Sequence, residues 1–156
     1  MSEFFRRGLS EIHFVPDVAN LAAPSRAEVT AGTDLTPGVA EINGFNFSNS
    51  PILTPKLSTT FTTQIPGEDT SDTSTLTFYD DDADDTMRAA LVKGTEGFLV
   101  FFPYGDVAGE RAEVWPAIAT GVNDQWTMSN EAAKFQVAFA ITEAPEQEAV
   151  VPAAGS

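Results

Sequence analysis

Five aspartates in six residues, Asp80 to Asp85, sit within "TLTFYDDDADDTMRAALVKG" (Thr75–Gly94). Carboxylates at that density can hold a cation, so a calcium loop is the first chemistry to test. With Asp80 in the first position, Asp82 and Asp84 fall third and fifth, as an EF-hand requires. The sixth position, however, is Asp85 where the sharp turn needs glycine, and the twelfth is Leu91 where a bidentate glutamate is needed. A second reading needs no ion. Asp82 or Asp84 can cap free backbone N–H groups, and negative charge suits the positive end of a helix dipole. Met87, Ala90 and Leu91 then share one helical face, Lys93 lies in the last turn, and Gly94 is a left-handed terminator. The spacing predicts a short helix of about ten residues, capped at Asp82 or Asp84 and closed at Gly94, with solvated acids at its start.

Other reactive constellations are sparse. His13 is the only histidine, in a strand-like segment, and it reads as structural. The chain holds no G-x-S-x-G, no G-x-G-x-x-G and no P-loop. Acidic pairs are abundant, as in any acidic chain, and therefore carry no information about glycoside chemistry. Trp115 and Trp126, with "GFLVFFPYG", could line a ligand groove, but core or interface packing is the preferred reading. No catalytic residue, cofactor or metal is expected. Eight Lys and Arg face 23 Asp and Glu, a net charge of −15, which opposes binding to nucleic acid and to anionic membranes. The absence of cysteine removes disulfides and thiolate sites. The start lacks the apolar core of a secretory signal, no run reaches membrane-spanning length, and folding in a cytoplasm is expected.

These residues must be positioned by strands. Glu11–Pro16 reads as a first strand with Ile12 and Phe14 on one face, preceded by an arm over about 1–11. Pro16–Gly38 is punctuated by proline and glycine and reads mostly as loop, with possible edge strands. Gly38–Asn49 alternates as a strand bent at Gly44. Lys56–Gln64 and Thr73–Tyr79 read as strands separated by an exposed loop, with Leu76 and Phe78 facing a core. Gly97–Asp106 opens with a continuous apolar run, which predicts cover on both faces: the core on one, the short helix or a neighbouring subunit on the other. Arg111–Gly121 is a strand whose Pro116 argues for an edge or a bulge, and Asn123–Asn130 is a connection. In Ala132–Ala144, Phe135, Val137, Phe139 and Ile141 share one face, while Ala138 and Ala140 on the other permit close approach by another surface. The outline is a mainly β domain over 1–144. It is a sandwich or barrel of about seven or eight strands with one flanking short helix. An acidic Pro/Ala arm over 145–156 follows, disordered unless a partner holds it.

"DTSTLTFYDDDADDTMRAALVKGTEGFLVFFPYG" and "AEVWPAIATGVNDQWTMSNEAAKFQVAFAITEAPEQEAV" together resemble the major tail tube proteins of long, non-contractile-tailed phages, especially those of actinobacteria. The resemblance covers roughly Asp72–Val150, and the first half matches more loosely, with a long interaction loop over about 45–72. It implies a β-sandwich or barrel flanked by a helix, assembled as stacked hexameric rings into a hollow tube in the virion. It also implies tape measure, tail tip and terminator proteins as partners, with DNA passing through the lumen without specific binding. Under this reading the arms, the loop and the alanine face become candidate subunit contacts: Phe4, Phe5, Phe45, Phe47, Ile52 and Leu53, and then Ala138, Ala140, Val150 and Val151. Exposed strand edges, an aggregation hazard in isolation, are paired in a closed ring. An acidic lumen would let DNA slide. The alternatives are a monomeric β-sandwich that binds carbohydrate or calcium through Trp115, Trp126 and the acids, or another virion component such as a tail completion or decoration protein.

Overall fold

The computed structural model describes residues 6–46, 48–71, 73–80 and 86–153. In chain order the elements are β1 (Glu11–Val15), α1 (Arg26–Ala31), β2 (Thr33–Asp34), a 3-10 turn (Thr36–Gly38), β3 (Val39–Asn43), β4 (Ser48–Thr54), β5 (Thr63–Thr70), β6 (Ser74–Tyr79), α2 (Thr86–Ala90), β7 (Glu96–Phe102), β8 (Arg111–Gln125), β9 (Lys134–Ile141) and β10 (Glu146–Val150). Eight strands form one sheet in the order β2-β1-β7-β8-β9-β6-β3, with β10 also on β8, while β4 and β5 pair only with each other. Each pairing is antiparallel. The mainly β class is as the sequence predicts, with ten strands and two short α-helices among the described residues where seven or eight strands and one helix were expected.

The large sheet buries both of its faces. Alternation along β7 sends Leu99 into one core, with Phe78, Trp115, Phe135 and Phe139, and sends Val100 and Phe102 into a second. Likewise β1 divides Ile12 and Phe14 from Val15. This explains the uninterrupted apolar run in β7, but its cover differs from expectation. The second face is closed by Val18, by Val29 of α1, and by Ala149 and Val151 at the C-terminal end, all from the same chain. Leu91, just after α2, is buried in the first core instead.

Two stretches read as irregular therefore have structure. α1 lies within the Pro/Gly-rich span and is started by a capping box. Ser25 Oγ accepts from the N–H of Glu28, and Glu28 reaches back to the N–H of Ser25 at 2.8 Å. Only six residues long, it shows too little periodicity to be visible beside its flanking proline and glycine. The C-terminal arm likewise docks as β10, because Ala149 and Val151 alternate into a waiting apolar face.

The sheet is rolled. Between β7 and β3 lie three strands, so a flat sheet would hold them about 19 Å apart. Yet Phe45, two residues beyond β3, sits with its ring centroid 5.0 Å from Phe101 of β7 and 5.9 Å from Trp115 of β8. The bend that permits this is at Gly44 and Phe45, both left-handed, with φ of 87° and 57°. A Cβ on Gly44 would come within 2.8 Å of Ser74, so the site requires glycine by shape as well as by φ. Ser74 Oγ accepts the Phe45 N–H at 2.8 Å and locks the turn.

Three further expectations are corrected. Pro116 is not on an edge strand, since β8 is flanked by β7 on one side and by β9 and β10 on the other. Its carbonyl accepts from Thr142 N–H, so its missing N–H also faces the β9 side, where β8 changes partner from β10 to β9 and no ladder donor is needed. The irregularity of β8 lies further on, between Ala119 and Gly121. Second, the helix after the aspartates ends at Ala90, well before Gly94. Gly94 is left-handed at φ 92°, but its N–H goes to the carbonyl of Ala119 at 2.7 Å, tying the turn to the sheet. Asp82 and Asp84, the expected caps, lie outside the described residues. Third, strand and loop are exchanged within 56–72: residues 55–62 form the loop between β4 and β5, and β5 takes the segment read as loop.

Candidate assembly surface

The β4–β5 hairpin carries large apolar side chains that the described residues leave half exposed or more. Ile52 and Ile65 face each other across the ladder, and Leu53 pairs with Gln64. Ile52 is 52 % exposed, Leu53 61 % and Ile65 50 %. Leu57 and Phe61, in the connecting loop, are more exposed still. The ladder itself is well made: Thr54 and Thr63 join hydroxyls at 2.7 Å, and Asn49 and Gly67 exchange two bonds, at 2.9 and 3.0 Å. Pro51 falls at a break in register between Ser50 and Ile52, where a missing donor does least harm. At the base, Ser71 Oγ donates to the carbonyl of Asn46 at 2.6 Å. A two-stranded hairpin without a hydrophobic support is marginal in water, so these residues call for cover from another molecule.

A second open feature is the seam of the rolled sheet. Among the described residues β3 pairs only with β6 and its other edge has no partner strand, and Ile42 on it is half exposed. Between β3 and β1 runs a groove of about 540 Å³, bordered by Ile12, Val39, Ile42, Phe45, Phe101 and Pro103. A third exposed patch lies past the end of β8, where Trp126 is 90 % exposed and Met128 fully so.

The sequence-selected contact residues separate into distinct groups. Ile52 and Leu53 lie together on the hairpin. Phe45 turns inward against Phe101, Trp115 and Phe139 and supports the chain's own core. Ala138 and Ala140 are half-buried on the β9 face opposite the core. Val150 is exposed, whereas Val151 is buried in the second core. Phe4, Phe5 and Phe47 lie outside the described residues. Sequence reasoning did not select Leu57, Phe61 and Ile65, nor Met128. Apolar residues in a Thr/Ser-rich stretch with no partner strand of the large sheet were the available signal. The two tryptophans are not companions: Trp115 is wholly buried, with its indole N–H toward Glu113 at 3.3 Å, so it cannot line a surface groove with Trp126.

Charge is organised mainly on the second face. Arg26 of α1 makes a two-pronged bond to Asp106, both arms at 2.7 Å, and donates to the carbonyl of Pro152 at 2.8 Å. It thereby fastens the C-terminal segment over α1. The guanidinium hydrogen bond lowers the Asp106 pKa, and the carboxylate raises that of Arg26. Glu28 is held below the usual carboxylate range by the N–H groups of Ser25 and Ala19. At the other end of the sheet Arg88 of α2 pairs with Asp124 and lies 5.3 Å from the centroid of the Phe135 ring.

Together these features define a β domain with a rolled sheet, an exposed apolar hairpin and an open seam between β3 and β1. The chain belongs to the phage tail tube protein family, whose model matches residues 1–154. No curated protein matches the sequence. Among solved structures, the chain is similar to one in the six-fold symmetrised cryo-EM baseplate of the anti-feeding prophage. The TM-score is 0.62 at 9 % identity, covering 94 % of this chain and 97 % of that one. It is also similar to a chain in the sheath/tube terminator of an extracellular contractile injection system in its extended state, with TM-score 0.62, 11 % identity and coverage of 93 % and 98 %. A third similarity is to the tube-terminating cap of the anti-feeding prophage, with TM-score 0.61, 11 % identity and coverage of 94 % and 93 %. At such identities these likenesses establish the fold.

Proposed function

We propose that this protein is the repeating subunit of the tail tube of a long, non-contractile-tailed phage of the actinobacteriophage type. Six copies form a ring, and rings stack into the hollow tube of the virion through which the genome is ejected. The observation that carries the reading is the β4–β5 hairpin, a formed ladder that leaves Ile52, Leu53, Ile65, Leu57 and Phe61 in water. A neighbouring ring is the cover they lack. The unpaired edge of β3 supports lateral joining, since a neighbouring strand satisfies its free backbone groups and a ring has no loose edge left over. Tape measure protein would occupy the lumen before ejection, and tip and terminator proteins would close the ends. The net charge of −15 suits a conduit that lets DNA phosphates slide.

Negative-stain electron microscopy of the purified protein over a concentration series tests this directly. Hollow tubes or six-fold rings are expected. If only monomers remain even when tail tip components from the same phage are added, the reading fails.

A further inference from the structure

His13 does not fit the assembly surface and is unused by the proposed function. It is nearly buried on β1, its ring tilted against Phe102 with centroids 5.1 Å apart. Its Nε2 lies 3.1 Å from Glu11 Oε1 and 3.9 Å from Asp34 Oδ1. Glu11 and His13 share a strand face, being two residues apart, and Asp34 arrives opposite His13 through the β1–β2 register. One donor atom from each of the three lies within 4.8 Å of the others.

We propose that Glu11, His13 and Asp34 form a divalent-metal site of the zinc class, with solvent completing the coordination. Ligands at zinc bond lengths in a tetrahedron are about 3.3–3.6 Å apart, and the two nitrogen–oxygen separations here bracket that edge. One imidazole and two carboxylates suit zinc better than calcium or magnesium, which take more oxygen donors. The two carboxylate charges balance the ion. Glu11 is also held from behind, as metal ligands are. Asp106 N–H donates to the other Glu11 oxygen at 3.2 Å. Thr36 N–H donates to Asp34 Oδ1 itself at 3.0 Å and orients that carboxylate, and the Phe102 ring packs against the imidazole. Asp106 itself is no ligand, because Arg26 takes both of its oxygens. Asp34 is 49 % exposed in its side chain, which leaves an entry path and room for a bound water. The ion would cross-link β1 to β2, the end of the large sheet that has only a two-residue strand to protect it.

The test is thermal melting and isothermal calorimetry of the full chain with Zn2+ at micromolar concentrations, followed by EDTA. The expected result is one ion per chain and a rise in Tm of several degrees that EDTA reverses, with no comparable rise in Mg2+ or Ca2+. Asp34→Asn, on a half-exposed side chain that leaves the core intact, should lose most of the response, as should His13→Gln. Glu68→Gln with Asp69→Asn, on the hairpin, should keep it. No zinc response in the parent protein overturns the proposal, and so does an undiminished response in Asp34→Asn, which would mark the ion as held by scattered surface acids.

Discussion

Strand β6 of the large sheet and the β4–β5 hairpin come from one Thr/Ser-rich stretch and end in opposite states. Both carry threonine and both pair in antiparallel ladders, unbroken between β6 and β9 and with one break in register in the hairpin. In β6, Leu76 and Phe78 alternate into a core and are wholly buried. In β4 and β5, Ile52 and Ile65 meet across the ladder and remain half exposed. β propensity selects a strand but does not supply its cover: one region has its apolar side chains buried within the chain, and the other leaves them exposed.

The comparison can be broken most forcefully from the sheet side. Phe139→Ala, in the first core, should cost about 3–5 kcal/mol and lower Tm sharply, read by thermal or urea unfolding of the monomer. A loss below about 1 kcal/mol would mean that this core is not what holds the domain together.

A smaller effect is expected where the second face is fastened. Arg26→Gln should cost about 1 kcal/mol at neutral pH, since the pair is partly exposed and screened. The pH dependence has a definite sign. Asp106 and Glu28 titrate below their ordinary values in the folded chain, so their contribution is fully present above the normal carboxylate range and is lost as pH falls from that range through their lower folded values. The gap in stability between the parent and Arg26→Gln should therefore narrow on acidification. A gap that widens in acid would contradict the assigned role of the pair.

The smallest effect on the subunit, and the sharpest contrast, comes from the hairpin. Ile52→Ser with Leu53→Ser should change monomer stability by less than about 0.5 kcal/mol, while sedimentation should show tube formation abolished. If the double variant still polymerises, the hairpin is not the ring-to-ring contact. If it unfolds the monomer, the hairpin is not independent of the sheet.

Much of the large sheet was legible because its strands announce themselves by period. Ile12 and Phe14 on β1, and Phe135, Val137 and Phe139 on β9, alternate clearly, and Gly44 marked its bend. The errors are local and have causes. Ser25 and Glu28 spelled a capping box, but over too few residues to outweigh the neighbouring proline and glycine. Lys56–Gln64 looked like a strand by composition, yet the ladder formed from the segment after it. Phe45 was apolar in a presumed loop and so was taken for a contact, although the roll of the sheet folds it inward. Ile52 and Leu53 were selected by the same rule, and among the described residues they stay more than half exposed.

By itself the sequence determined the β class, the two-sided apolar demand of β7 and the strong acidity, because period, composition and charge are local or additive properties. Only the tertiary structure decided which apolar residues are buried within the chain and which stay exposed. It also decided that the C-terminal segment covers the second core, and that Asp34 meets His13 across the β1–β2 register. Those outcomes depend on strand order and on the roll of the sheet, which bring together residues distant in sequence that no local pattern connects.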